Sequence, residues 1–464
     1  MEERLKQAVR DIVGPENYSE ALIDLISHTY DASAHHHRPD VSVWPVNTKQ
    51  VSRLLNLAHV HHLTVTPRGA GTGLAGSAVP ACSGMVLDLC RMNRIVDIRI
   101  PDRVAVVEPG VVYQDLQKAL RPYGFFFPPD PASGKVCTLG GNVATNAGGL
   151  KGAKYGVTRD YVLGLEVVLA DGRIMRSGSG CMKSVSGYDL THLLVGSEGT
   201  LGIITEILLK IDPLPRAVRT TLAMFEGIAA AGRCVSDIIR SGVVPSVLEI
   251  LDENTLKVLQ NHSKIPLPRG KAMILAETDG YTEAEADFQM DRVTKVLKRH
   301  RAKEILQAGT AQESEQLWEA RRAAGSVAAN LRPANVSEDV TVPISKVPDL
   351  LIGISTIVRD HQLPFVVFGH AGDGNLHPKI MYDPTDADEV RRVTRASEAI
   401  FRLTCRLGGT LTGEHGIGMA KAPYMGLEHD AVALDVMAAL KRLFDPHHIL
   451  NPGKMGFPPE RECA

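Results

Sequence analysis

The chain has 464 residues, 44% hydrophobic and 22% charged, with a formal net charge of −2. These are the proportions of a folded globular protein, and the length suits two or three domains rather than one core. A near-neutral balance provides no broad basic surface for nucleic acid or an anionic membrane. No apolar run is long enough to span a bilayer. The opening Met1-Glu-Glu-Arg-Leu-Lys-Gln7 is charged and helix-like and lacks the apolar stretch of a signal peptide. The expected location is cytoplasmic, or peripheral to the inner membrane.

In chain order, residues 1–35 form a helical segment ending near Asp31. From Trp44 to Ile211, short β-rich runs alternate with Gly-rich connections: Leu63–Thr66, Gly84–Leu89, Val104–Glu108 and Leu165–Leu169. Helical patterns intervene at Thr48–His61 and Tyr113–Arg121. The order is α+β, without the regular alternation of a doubly wound sheet. Pro213-Leu-Pro215 marks a boundary. Beyond it, amphipathic helices at Ile228–Ser241, Glu283–His300, Glu313–Leu331 and Asp388–Leu407 alternate with strands such as Ala272–Glu277 and Phe365–Phe368. That spacing predicts a sheet with helices on one face. The chain closes with a helix at Ala431–Phe444 and a loop through Asn451-Pro-Gly-Lys454. Three regions follow: 1–35, 36–214 and 215–464.

Seven cysteines (Cys82, Cys90, Cys137, Cys181, Cys234, Cys405 and Cys463) are scattered and form no Cys-x-x-Cys pair. This argues against a zinc ribbon or an iron–sulfur cluster bound by this chain alone. Reduced thiols are expected.

Three glycine-rich stretches lie in the first half. Pro67–Gly76 contains a formal Gly-x-Gly-x-x-Gly at Gly71, Gly73 and Gly76. A dinucleotide-binding Rossmann unit would need a helix directly after it. Here Ser77–Gly84 is turn-like and leads into another strand, so the Rossmann reading is rejected. Gly140–Gly149 and Ser197–Ile203 repeat the property. Successive glycines let backbone N–H groups converge on an anion, and three such loops point to a large phosphate-bearing ligand.

The second half carries His370-Ala-Gly-Asp-Gly-Asn-Leu-His377 and Gly413-Glu-His-Gly416. Asp-Gly between two β-runs is a hairpin signal. With Asp373-Gly374 as a two-residue turn, Gly372 faces Asn375 and His370 faces His377, their Cβ atoms roughly 4.5–5.5 Å apart. Two imidazoles so placed can reach one divalent metal, and Glu414 would supply an oxygen. Three protein ligands leave a position open for substrate. His415 is the side chain suited to take a proton near neutral pH.

Taken together, the strings PRGAGTGLAG (67–76), GGNVATNAGG (140–149), GSEGTLGIITE (196–206), GHAGDGNLHP (369–378), GEHGIG (413–418) and NPGK (451–454) resemble one family. It is the FAD-linked D-2-hydroxy acid dehydrogenases, which include glycolate oxidase D-type subunits, D-lactate dehydrogenases and D-2-hydroxyglutarate dehydrogenases. The resemblance implies the vanillyl-alcohol oxidase/p-cresol methylhydroxylase fold. That fold has a two-subdomain α+β FAD-binding domain and a sheet-and-helices cap domain whose last ~50 residues return to the flavin. It implies FAD contacts at Arg68, Gly69, Ala70, Gly71, Thr72, Gly73, Ser77, Pro131, Gly141, Asn142, Thr145, Gly148, Gly149, Ile203 and Asn451. It also implies metal ligands His370, His377 and Glu414 for Zn or Mn, with His415 as base.

The chemistry so implied is coherent. A 2-hydroxy acid would chelate the metal through its hydroxyl and carboxylate, aiming C2–H at flavin N5, and His415 would remove the hydroxyl proton. Trp318-Glu-Ala-Arg321 resembles the family's Trp-x-x-Arg segment, whose Arg grips the substrate carboxylate. At the position of a polar amide in the D-2-hydroxyglutarate enzymes this chain has Lys379, expected to point outward. Glu338–Pro343 looks closer to the D-lactate and glycolate types, so a short D-2-hydroxy acid is the leading substrate. D-2-hydroxyglutarate, or turnover as an oxygen-using oxidase, is the alternative. Electrons must leave to an external acceptor: an iron–sulfur subunit, a cytochrome, a quinone or an electron-transfer flavoprotein. A homodimer is compatible with the sequence.

Family members with covalent FAD carry a His in the first glycine loop, where this chain has Thr72. Acid denaturation is therefore expected to release all the yellow colour to the supernatant. Flavin retained in the pellet would refute non-covalent binding.

Overall fold

Val41–Val43, Val65–Arg68 and Met85–Asp88 are short β-prone runs that pair in parallel, and Tyr18–Ser19 adds an antiparallel edge. Parallel strands of one sheet need a crossover, and the helix Thr48–His61 supplies one between Val41–Val43 and Val65–Arg68, which flank Met85–Asp88. Asn47 starts it by accepting the Gln50 N–H at 3.0 Å, and His62 ends it in the left-handed region at φ 51°. Its apolar stripe of Val51, Leu54, Leu55 and Ala58 is buried in one core with the sheet. A five-stranded antiparallel sheet, ordered Ile95–Arg99, Val104–Val107, Ile203–Lys210, Val162–Val168 and Ile174–Gly178, forms a second core. That core includes residues of the helices Tyr113–Leu120 and Leu139–Thr145.

The computed structural model describes residues 1–263 and 267–457. It divides into two units, one made of Met1–Gly148, Val157–Pro213 and the chain from Glu414 onward, the other of Gly149–Gly156 and Leu214–Gly413. The late segment is stitched into the first unit by backbone: the Val65 N–H donates to Ile449, and the Asn451 N–H to Val65, each at 2.8 Å. Lys441, 2% exposed, reinforces it by donating to the Thr200 and Leu450 carbonyls at 2.8 Å and to Asp445 at 2.5 Å. A buried ammonium is tolerated when every donor finds an acceptor.

The second unit is built on an eight-stranded antiparallel sheet. Every residue of the strand Val247–Leu251 is at most 1% exposed, so both faces are covered. Helices Glu253–His262 and Ala311–Ala329 lie on the face of Leu222, Met224, Val247, Leu251, Met273, Leu275 and Phe368. Helices Ile228–Arg240, Glu283–Arg299, Val347–Asp360 and Ala387–Arg406 lie on the other. The expectation of helices on one face alone is corrected: strands apolar at both parities, such as Val-Leu-Glu-Ile-Leu, must be buried on both sides.

Among the described residues, Cys90, Cys137, Cys181, Cys234 and Cys405 are free thiols. Cys463 lies outside the described residues. Among the described residues, no helix is long and apolar enough to cross a membrane.

Candidate active site

In the first unit the three glycine loops converge on a single cleft. Of the residues implied as FAD contacts, Arg68, Gly69, Ala70, Gly71, Thr72, Gly73, Ser77, Pro131, Gly141, Asn142, Thr145, Gly148 and Ile203 line it, together with Glu198, Glu414 and His415. Asn451 stands behind the lining, its amide donating to the Ser77 and Glu198 carbonyls at 2.9 and 2.7 Å. Gly149 is part of the second unit. The backbone comes close enough to exclude side chains: a Cβ on Gly148 would lie 2.9 Å from Glu414 Oε2, and one on Gly69 2.3 Å from Thr138 Oγ1. Gly71, at φ +66°, adopts a conformation that strains any other residue.

The cleft fits a dinucleotide on its own chemistry. Asn142 is 3% exposed, and its Nδ2 has no hydrogen-bond partner among the described residues. A buried donor of that kind calls for a ligand acceptor.

Glu198 was not foreseen. It sits inside the third glycine loop at φ 51°, and its carboxylate accepts the Ser77 hydroxyl at 2.5 Å. It also accepts the Ile417 N–H at 2.6 Å and the Gly418 N–H at 2.8 Å. Burial pushes its carboxyl above the ordinary range, against the pull of those three donors. Through it, the loop carrying Glu414 and His415 is tied to the first glycine loop.

In the second unit, one sheet face carries a buried polar row among apolar residues. Glu249 pairs across the ladder with His370, which pairs with Asn375. Glu249, fully buried, accepts from His370 Nδ1 at 2.5 Å and pairs with Arg321 Nε from the covering helix. Burial opposes its charge, yet Arg321 and His370 hold its carboxyl down at about 2. The Arg321 guanidinium also lies over the Phe368 ring at 4.9 Å. Asp339, equally buried, accepts from Asn375 Nδ2 at 2.7 Å and lies 3.7 Å from His377 Nδ1. It also takes the Thr412 hydroxyl at 2.8 Å and the Gly413 N–H at 3.0 Å. Gly413 needs its missing Cβ here, since one would fall 2.5 Å from Asn375 Nδ2.

The hairpin register is corrected. His370 faces Asn375, and His377 faces Phe368, so the turn is the four residues Ala371–Gly374 and not Asp373-Gly374 alone. The Gly372 N–H is drawn off to the Leu248 carbonyl at 3.0 Å, and Asp373 Oδ1 accepts the Asn375 N–H at 3.3 Å, which widens the loop. The histidines are diagonal neighbours on one face, and their rings meet edge-on with centroids 5.1 Å apart. Two imidazoles and a carboxylate form a donor set suited to Zn or Mn. Lys379 is also corrected. Side chains two apart on a strand share a face, so Lys379 lies on the His377 side, donating to the Gly325 carbonyl at 3.3 Å. Burial lowers its pKa, and no carboxylate pairs with it among the described residues.

The missed residues had faint signals. Glu249 is the only charge in an otherwise apolar run, Val247–Leu251. Asp339 and Glu198 stand inside strings already singled out, and nothing in a string says which acid is buried.

Two stretches of the chain match known flavoprotein families. Residues 39–178 match the FAD binding domain, and residues 214–455 match the FAD linked oxidases, C-terminal domain. These define a flavoprotein oxidoreductase class. The fold is shared with p-cresol methylhydroxylase, at a TM-score of 0.82 and 19% identity over 98% of this chain and 96% of that one. In sequence, the chain is 44% identical to the glycolate oxidase subunit GlcD of Bacillus subtilis, covering 97% of this chain and 96% of that protein. It is 36% identical to GlcD of Escherichia coli K12 over 93% and 86%. It is 34% identical to a probable mitochondrial D-lactate dehydrogenase of Danio rerio over 98% and 92%. The chain belongs to the FAD-linked oxidase family.

Replacing Asn142 with Leu is expected to leave the fold intact and weaken FAD binding by about tenfold, the worth of one hydrogen bond to a buried donor. Fluorescence titration of the apoprotein measures it.

Proposed function

We propose that the chain is an FAD-dependent dehydrogenase that oxidises a short D-2-hydroxy acid, D-lactate or glycolate, to the 2-oxo acid. The observation that carries the reading is the buried row of Glu249, His370, Asn375 and His377 with Arg321 above it, in a family whose relatives are named for glycolate and D-lactate. A core sheet face holds such groups only where they are paired and hydrogen-bonded, as they are here, and so many of them on one face is the chemistry an anionic substrate would meet.

In this reading His370, His377 and Glu414 hold a divalent metal, Zn or Mn. Supporting this, Asp339 grips the Gly413 N–H, one peptide bond before Glu414. With His370 Nδ1 committed to Glu249, ligation falls to Nε2. When bound, the non-covalent flavin supplies a hydride acceptor and the metal a Lewis acid that acidifies the substrate hydroxyl. His415 takes the hydroxyl proton on a ring nitrogen. Arg321 grips the substrate carboxylate with its two Nη groups, which donate to no protein acceptor among the described residues. Electrons leave to an iron–sulfur subunit, a cytochrome, a quinone or an electron-transfer flavoprotein.

A second reading rests on Lys379. A half-buried cation with no counter-charge among the described residues, on the same face as His377, favours a substrate with a second carboxylate, such as D-2-hydroxyglutarate.

A dye-coupled assay of D-lactate, glycolate and D-2-hydroxyglutarate, before and after chelator treatment, tests both readings. The leading one requires the highest kcat/KM for a monocarboxylate, lost on chelation and restored by Zn or Mn. A preference for D-2-hydroxyglutarate would install the second reading, and peroxide formed without dye would mark an oxidase. Arg321→Lys should raise KM at least tenfold and lower kcat, since an ammonium cannot make the bidentate contact. Unchanged kinetics would remove Arg321 from the substrate.

A further inference from the structure

We infer that Glu249 is a positioning residue that sets two groups with one carboxylate, orienting His370 for the metal and Arg321 for the substrate carboxylate. The inference rests on the metal-binding reading above.

The geometry is specific. Glu249 is 0% exposed and lies on a central strand directly opposite His370. Its Oε1 meets His370 Nδ1 at 2.5 Å, and its Oε2 meets Arg321 Nε. The first contact fixes the tautomer: with the proton on Nδ1, Nε2 presents its lone pair to a metal, the usual role of a carboxylate behind a ligating histidine. The second contact holds Arg321 by Nε, keeping both Nη groups available for a planar carboxylate. Phe368, beneath the guanidinium at 4.9 Å, fixes the plane of the fork.

Both partners of Glu249 are donors, so both need it as an acceptor. A neutral amide of the same shape has one oxygen and one NH2 group. Glu249→Gln must therefore either set its NH2 against Arg321 Nε, a donor–donor clash, or set it against His370 Nδ1, which then accepts and carries its ring proton on Nε2 instead, all at unchanged volume. A purely structural carboxylate would predict a loss of stability and nothing else.

The test uses the FAD-loaded protein as wild type, Glu249→Gln and His377→Ala. Each is titrated with Zn or Mn against a chromophoric chelator, with the thermal midpoint and the KM and kcat for D-lactate measured alongside. The expected result is one metal per wild-type chain, none in His377→Ala, and affinity in Glu249→Gln weakened by roughly 10–100-fold. At saturating metal, KM in Glu249→Gln should still rise several-fold. Wild-type affinity and KM in Glu249→Gln, with only a lower midpoint, would overturn the inference and leave the metal reading standing. A wild-type chain that binds no metal would overturn both. Should Glu249→Gln not accumulate, Glu249→Asp replaces it. The shorter acid keeps the charge but cannot span both donors, so either metal affinity or KM must move, and neither moving also overturns the inference.

Discussion

A single buried carboxylate organises the glycine-lined cleft of the first unit. Glu198 receives the Ser77 hydroxyl from the first glycine loop and the Ile417 and Gly418 N–H groups from the loop bearing Glu414 and His415. Its own carbonyl is taken by Asn451. Segments far apart in the chain thus meet at one side chain. A buried acid without such donors would be expelled to water or protonated. The loops around it therefore have little freedom to rearrange separately, and the loop bearing Glu414 and His415 inherits its position from the glycine loops that line the cleft.

The second unit solves a different problem. Its sheet is buried on both faces, and helices supply apolar cover for most of it. One row departs from that rule, with Glu249, His370, Asn375, His377 and Lys379 among Val, Leu and Phe. Glu249 and Asp339 are wholly buried and survive there because each is surrounded by donors. Low dielectric strengthens those contacts and makes the loss of any one of them costly.

Much of the scaffold was legible along the chain. The helix Thr48–His61 starts at a capping Asn and carries a 3.6-residue stripe, and it forms where that pattern places it. The glycine loops announced a phosphate-bearing ligand because few other demands explain so many residues without a Cβ in three stretches. The hairpin register was not legible. Asp373-Gly374 is a strong local turn signal, but the Gly372 N–H is claimed by Leu248, a strand neighbour distant in sequence, and local turn chemistry yields to that bond. Lys379 was misjudged for a simpler reason, since its parity with His377 already put the two on one face.

The sequence by itself determined the α+β class, the two glycine-and-histidine motif sets and, through them, the family. These depend on local conformational limits and residue chemistry, which act over a few positions. Only the tertiary structure decided which acids matter. Glu198, Glu249 and Asp339 look like any other carboxylates in the chain. They become distinctive once folding strips away their water and leaves Ser77, Arg321, His370 and Asn375 as the groups that compensate their charge.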